Sequence, residues 1–561
     1  LSNSELANVF TSNRIVVGNA SSGDVMFAEP ISLAGSDTLE IITGGTVNDT
    51  DNGTVFTGLN LAITAAQGIG TTSSLDTVVS NFAANGGSGG VNVSNTGALT
   101  IGGVSGTVNG VSATSGNVSL AADLAITTIE AIDTSVGNGN VSLTAADLEL
   151  EAAVNSGTGT VSLQPTSGGT IDLGATGGSG QFVVTHAELD QISAGQIVIG
   201  NSTTGAIKVN ALVTHPSNLA FSGDSFTATS NLQVDGDIDI TTRGNVLITN
   251  GIFFRADEDN NGTGALTITS DDDNNNSGNI TGTDTTTMRG ATVDLVGENI
   301  SLSAVQAYFG DLNITANNNA GIAKFTTSPT NITITANNNV TMPGGTHFSQ
   351  VMEADVDNNG SGDLVITADF DNNGSGALTS AANVNHRIRG ANIILSGTGV
   401  ALSDVSAKTG SLTVTATTSN ISLGNKPVVS AVDVNLIAAS GNVTQNASGT
   451  MTVGGALNIT LANDLIVNGT ISADYTVANG TKLGGSGTIG NVVNNGTVAP
   501  GNSPGILNTG NFTFGDNSSF EVELGGTTPG NTTSDHDQLN VTGTVTIGMN
   551  VTLDPILFNG F

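Results

Sequence analysis

Cysteine and tryptophan are absent from the 561 residues, tyrosine occurs twice, and Lys and Arg together number 11 against 47 Asp and Glu. The missing cysteines exclude disulfide staples, thiolate metal sites and thiol nucleophiles together. So few cations, with a net charge of −36, exclude nucleic acid as a partner, because binding a phosphate backbone requires clustered Lys and Arg to displace counterions. Anionic membrane surfaces are disfavoured for the same reason. No apolar run reaches the roughly 18–20 residues of a membrane helix, so no membrane insertion is expected. The chain opens at Leu1 without a basic and then apolar leader; it reads as a mature or excised segment whose targeting parts lie elsewhere. Aromatic residues are 4 % of the total, which removes the stacking platforms that sugar-active sites use.

What is present is 76 glycines and a hydrophobic fraction of 37 % supplied mainly by Val, Ile, Leu and Ala. That fraction is too high for a disordered acidic chain. Small and β-branched apolar residues suit thin, regularly stacked layers better than a bulky globular core, and few large aromatics are expected inside. A short motif recurs: GNVSLAA from Gly116, GNVSLTA from Gly139, GTVSLQP from Gly159, GNVLITN from Gly244, GDLNITA from Gly310 and GSLTVTA from Gly410. Its apolar–polar alternation is that of a half-buried strand. The Gly, Asn, Ser and Asp clusters between copies can adopt positive φ and turn corners. Spacings of 20–23 residues from Gly116 to Gly139 to Gly159 match one turn of a β-solenoid. Helical signals are confined to single turns near Ser4–Val9 and Ala187–Ile192.

Longer repeats lie above this rhythm. LSNSELANVFTSNRIVVGNASSGDV at the start pairs with VTHAELDQISAGQIVIGNSTTGAI from Val184, and the segment from Met288 pairs with that from Ile388. Four blocks follow: 1–183, 184–250, 251–425 and 426–561. The opening segment, GIGTTSSLDTVVSNFAA from Gly68 and NTGALTIGGVSGTVNGVSATSGNVSLAA from Asn95 resemble the repeats of filamentous-haemagglutinin-like exoproteins exported by two-partner secretion. LGGSGTIGNVVNNGTVAPGNSPGIL, Leu483–Leu507, is similar to the strand repeats associated with autotransporter passengers. The resemblance implies an all-β, right-handed parallel β-helix and an extracellular, surface-displayed adhesin. At about 22 residues per coil and about 4.8 Å per coil the expectation is a rod of roughly 120 Å, with Thr and Asn ladders along its corners.

The strongest chemical signal is a D-x-D-x-N pattern that occurs four times: Asp257, Asp259, Asn261; Asp271, Asp273, Asn275; Asp355, Asp357, Asn359; and Asp369, Asp371, Asn373. Oxygen ligands at positions 1, 3 and 5 of a tight loop form the first half of a calcium loop. The bidentate Glu of position 12 is missing, since Ile268 and Ile366 stand there. Members of each pair lie 14 residues apart. If 14 residues make a short coil, the loops stack and two of them share one Ca²⁺. The plainer reading is that Asp and Asn form good turns whose charges are solvated.

Other candidates are weaker. His386, Arg387 and Arg389 are expected to pair with nearby Asp residues. The five histidines are scattered, and Asp535, His536 and Asp537 alternate across a strand rather than converge. SGGTIDLGATGGSG from Ser167 has neither the helix nor the Lys of a phosphate loop. The sequence therefore predicts a non-enzymatic stalk, adhesin or filament subunit of a bacterial cell surface. Its partners would be copies of itself, neighbouring solenoid segments, or host, neighbour-cell and carbohydrate surfaces. Alternatives are a self-assembling fibre or surface-layer protein and, behind these, a polysaccharide-active enzyme.

Overall fold

The computed structural model describes residues 13–557 apart from 34, 36–37, 51–52, 54–55, 105, 167, 175–181, 284, 343–349, 381–385 and 531. The expected helical turn at 4–9 and His347 lie outside the described residues, as does most of the glycine-rich stretch after strand Ile171–Gly174. Almost every regular element is a short strand paired in parallel with strands one coil before and after. The fold is a parallel β-helix, and its sheets are open columns rather than a closed barrel. No described helix is long and apolar enough to cross a membrane. The chain divides into two units, Leu1–Gly278 and Asn279–Phe561; the division falls between the two pairs of Asp/Asn blocks.

In the first unit one inward column runs Val93, Leu120, Leu143, Leu163, Ile199, Phe221, Ile240, Ile268, each the register partner of the next. None is more than 2 % exposed. The second unit repeats the device with Leu295, Ile314, Ile334, Ile366, Leu395, Val414 and Leu436. Five of the six recurring motifs form strands of these stacks; the sixth, from Gly244, forms Val246–Ile248 in a neighbouring column. The alternation works because strand side chains point to opposite faces with period two, so one face feeds the core at every coil.

Two expectations about the interior separate here. Phe is more useful than the composition suggests: Phe56, Phe82, Phe182, Phe221, Phe226, Phe254 and Phe512 are all fully buried. Phe226 stacks between Ile207 and Val246 and meets Phe221 and Phe254 at ring-centroid distances of 5.2 and 5.9 Å. Three of these aromatics thus pack against one another across successive coils. The single helical turn near Ala187 is present as His186–Leu189, closed by a capping box in which Thr185 Oγ1 accepts the Glu188 N–H and Glu188 Oε2 accepts the Thr185 N–H.

Corners are held by side-chain ladders. The amide oxygens of Asn279, Asn299 and Asn319 each accept both the main-chain N–H and the side-chain NH₂ of the Asn 20 residues later, at 2.9–3.3 Å, ending on Asn339. A second ladder runs Asp311, Asn331, Asp363, Asn392, Ser411 with steps of 20, 32, 29 and 19 residues. The two long steps hold the second pair of Asp/Asn blocks. Insertions are accommodated at corners, while the strands before and after them keep their register.

Candidate cation-binding loops and an acidic cleft

The four Asp/Asn blocks form four loops of nearly one design. Asp257, Asp271, Asp355 and Asp369 adopt positive φ of 55–62°, as do Asn260, Asn274, Asn358 and Asn372 three residues on, at 53–58°. Left-handed backbone is accessible chiefly to Gly, Asn and Asp, which explains the choice of residue without reference to a ligand. The first Asp of each loop is buried and caps the loop: Asp257, Asp355 and Asp369 Oδ1 accept the N–H of Gly262, Gly360 and Gly374 at 2.9–3.0 Å. In the remaining loop Asn276 takes the place of that glycine with φ of 65°, and Asp271 receives the N–H groups of Asn275 and Asn276.

Positions 3 and 5 lie in the open. Asp259, Asp273, Asp357 and Asp371 are exposed, as are Asn261, Asn275, Asn359 and Asn373. Each of these Asp residues accepts the side-chain NH₂ of the Asn two residues on, at 2.8–2.9 Å. The absent Glu of position 12 has a structural reason: Ile268 and Ile366 are 0 % exposed members of the inward columns, where a carboxylate would be buried without solvation.

The stacking expected from the 14-residue spacing does not occur. The loop at 257 precedes strand Leu266–Ser270 and the loop at 271 follows it. The loops at 355 and 369 flank Leu364–Thr367 in the same way. Fourteen residues thus make one side of a coil with two corners, not a coil. Loops of a pair do not lie over one another, and a cation shared between them is not built. Among the described residues no three His, Asp or Glu side chains converge on one point. A hard cation would instead take one or two carboxylates, an Asn oxygen and main-chain carbonyls of a single loop, a donor set of the kind that suits Ca²⁺. The loop at 355 offers one oxygen suited to this: Asp355 Oδ2 is buried and has no hydrogen-bond partner.

That loop also carries its own cation. Lys408 Nζ donates to the Asp355 carbonyl at 2.9 Å and to Asn358 Oδ1 at 2.8 Å, and lies 2.6 Å from Glu353 Oε1. The ammonium neutralises a corner that is otherwise all oxygen. Lys408→Met is expected to cost about 1–3 kcal/mol in urea unfolding with chelator present, discounted at the low end for partial exposure of the pair. The expected pairing of Arg389 is present with Asp404, 2.5 Å away.

A second candidate escaped the sequence reading. Lys482, Gly484, Ala499, Glu521, Glu523 and Asp537 line a cleft of about 200 Å³. Gly484 and Ala499 are register partners on adjacent strands, and their small side chains leave the floor low. Glu521 and Glu523 share a strand with period two, so both face one way. Lys482 Nζ holds the Glu521 carboxylate at 3.0 and 3.1 Å. Asp537 is buried and accepts the N–H groups of Gly505 and Glu523 at 2.6 and 2.8 Å. Burial raises the pKa of Glu523, helped by the adjacent Asp537 charge. Burial likewise raises Asp537, against the lowering effect of its two N–H donors. The Glu-x-Glu alternation was readable, but Asp537 reaches the cleft only through a turn that brings Asp537 under Gly505. The neighbouring Asp535 and His536 do not join it as a triad; the His536 ring contacts the Gly526 carbonyl at 3.1 Å.

No protein-family model, curated protein sequence or solved structure matches this chain.

Proposed function

We propose that the chain is an extracellular structural or adhesive solenoid segment of a bacterial cell surface, a stalk, adhesin or filament subunit whose Asp/Asn loops bind Ca²⁺. The observation that carries the reading is the fourfold recurrence of one exposed oxygen-rich loop on a solenoid whose other corners are held by side-chain ladders of Asn, Asp and Ser. Bound calcium would contribute positive charge and rigidity at corners lengthened beyond the usual coil. The partners are other copies, neighbouring segments, or host, neighbour-cell and carbohydrate surfaces, with neither nucleic acid nor membrane insertion. A self-assembling fibre is the alternative within the same class.

One observation favours a second reading. Two carboxyl groups of raised pKa, Glu523 and Asp537, share a cleft on a β-helix face, the chemical minimum for acid–base cleavage of a polysaccharide. Against it, no aromatic residue lines that cleft. Two measurements separate the classes. Negative-stain images are expected to show discrete particles for an adhesin or stalk and continuous filaments for a fibre. Incubation with plant and bacterial polysaccharides is expected to release no reducing ends; release that Glu523→Gln abolishes would replace the structural reading with the enzymatic one.

A further inference from the structure

One sheet of the second unit stops in mid-chain. Strand Leu457–Leu461 pairs with Val434–Ala438, yet no described strand pairs with its other edge. The strand with the same place in the following coil, Tyr475–Val477, begins a separate sheet with Val492–Asn494. The neighbouring column is continuous through the same coils, from Val443–Gln445 through Asp464–Val467 and Lys482–Gly485 to Thr497–Pro500. The interruption therefore belongs to one side of the coil alone.

Its edges are chemically open. Along a parallel strand the N–H and C=O of one residue face the same neighbour, and successive residues alternate. The Val434 N–H donates to the Ala456 carbonyl at 3.0 Å and the Ala462 N–H to the Ala438 carbonyl at 3.1 Å. Even-numbered residues thus face the paired neighbour, and Leu457, Ile459 and Leu461 turn their main chain to the open side. Across the interruption the Tyr475 N–H donates forward to Asn491 at 2.9 Å, so Thr476 faces back. An open cleft of about 480 Å³ lies between, with Leu457, Ile459, Tyr475 and Asp474 in its lining. Leu457, Ile459 and Leu461 are only half-buried, whereas Val434, Leu436 and Ala438, their partners one coil earlier, are 0 % exposed. On the outer side the ladder Thr413–Asn435–Asn458 ends at this edge.

We infer that this cleft is a docking site for an extended segment of another protein, which adds as a parallel strand along Leu457–Leu461. Unpaired main-chain groups demand an extended backbone, and the half-covered Leu457 and Ile459 demand Val, Ile or Leu at alternate positions, the mode of strand addition. The intervening positions are neutral or basic, because Asp474 is the one charged group in the lining and the chain carries −36 overall. A folded second copy is the poorer occupant, since it brings the same negative charge to an acidic lining. The inference is independent of calcium.

The test uses the full chain and a fluorescein-labelled peptide, Lys-Val-Asn-Leu-Ile-Ala-Lys, whose centre copies strand Val434–Ala438. Anisotropy is expected to show saturable binding, and replacing both Lys by Glu is expected to weaken it about tenfold. Ile459→Pro removes an N–H that faces the cleft while leaving the bonds to Val434–Ala438, a change that edge strands tolerate. It is expected to weaken binding at least about tenfold with an unchanged circular dichroism spectrum. A peptide N-methylated at Leu or at Ile tests the same bonds without altering the protein, and one of the two is expected to lose about tenfold. The inference is overturned by absence of saturation, or by equal binding of both methylated peptides and the parent. Concentration-dependent self-association that Ile459→Pro abolishes would overturn it too, by giving the edge to a second copy.

Discussion

Protein stripped of metal and returned to 10 mM CaCl₂ is expected to melt at a higher temperature, with about 2.7 kcal/mol of added stability for each loop whose Kd lies a hundredfold below the free calcium. Extracellular calcium modules have Kd of about 10⁻⁴–10⁻³ M, so the stated concentration brings such loops to or near saturation. Mg²⁺ at the same concentration is expected to do much less, because it demands a compact octahedral shell and releases its water reluctantly. The informative variants are at position 3. Asp357 and Asp371 are exposed, so Asp357→Ala and Asp371→Ala leave the Asp355–Gly360 and Asp369–Gly374 caps in place. Each should lower the calcium-dependent shift while changing chelated stability by no more than about 0.5 kcal/mol. An unchanged melting temperature on adding calcium would remove metal binding from the proposed function. The Asp and Asn of these loops would then be left as turn formers that keep the surface hydrated.

The second large effect concerns the column that carries those loops. Ile366→Ala is expected to destabilise the second unit by about 2–5 kcal/mol in urea unfolding, the range for opening a cavity in a close-packed interior. Ile366 is 0 % exposed and sits in register between Ile334 and Leu395. In a solenoid each coil is stabilised mainly by its immediate neighbours, so the loss should appear as an earlier partial transition rather than a uniform shift. Strand Leu364–Thr367 has a calcium-candidate loop at each end; the calcium shift of both loops should shrink along with its stability. Thr333→Ala, an outward residue of the preceding strand in the same sheet, serves as control at no more than about 0.5 kcal/mol. Equal effects of the two substitutions would contradict the inward assignment of Ile366.

Much of this architecture was legible in the residues. The alternation in GNVSLTA identifies which side chains are inward, because a strand allows only two faces. Recurrent Asn at intervals of 20 residues announces ladders such as Asn299–Asn319–Asn339, since identical residues one coil apart meet at identical corners. The D-x-D-x-N blocks were correctly read as corner loops, and the missing Glu of position 12 was visible as Ile268 and Ile366. The spacing of 14 left open whether a pair of blocks makes a short coil, because separation along the chain does not distinguish a complete turn from one side with two corners. That distinction depends on whether Leu266–Ser270 pairs with the coil before it, as it does through Ile240 and Ile268.

The cleft at Glu523 and Asp537 and the open edge at Leu457–Leu461 were not legible. Neither depends on an unusual residue: LNITL alternates like every other strand of its column. By itself the sequence determined the strand period, the inward residues, the corner chemistry and the sign of the surface charge, all set by neighbours within a few positions. Only the tertiary structure decided which corner each loop occupies, which carboxyl groups share a cleft and which strand lacks a partner. Those outcomes follow from the cumulative length and placement of successive coils, and no local pattern encodes that sum.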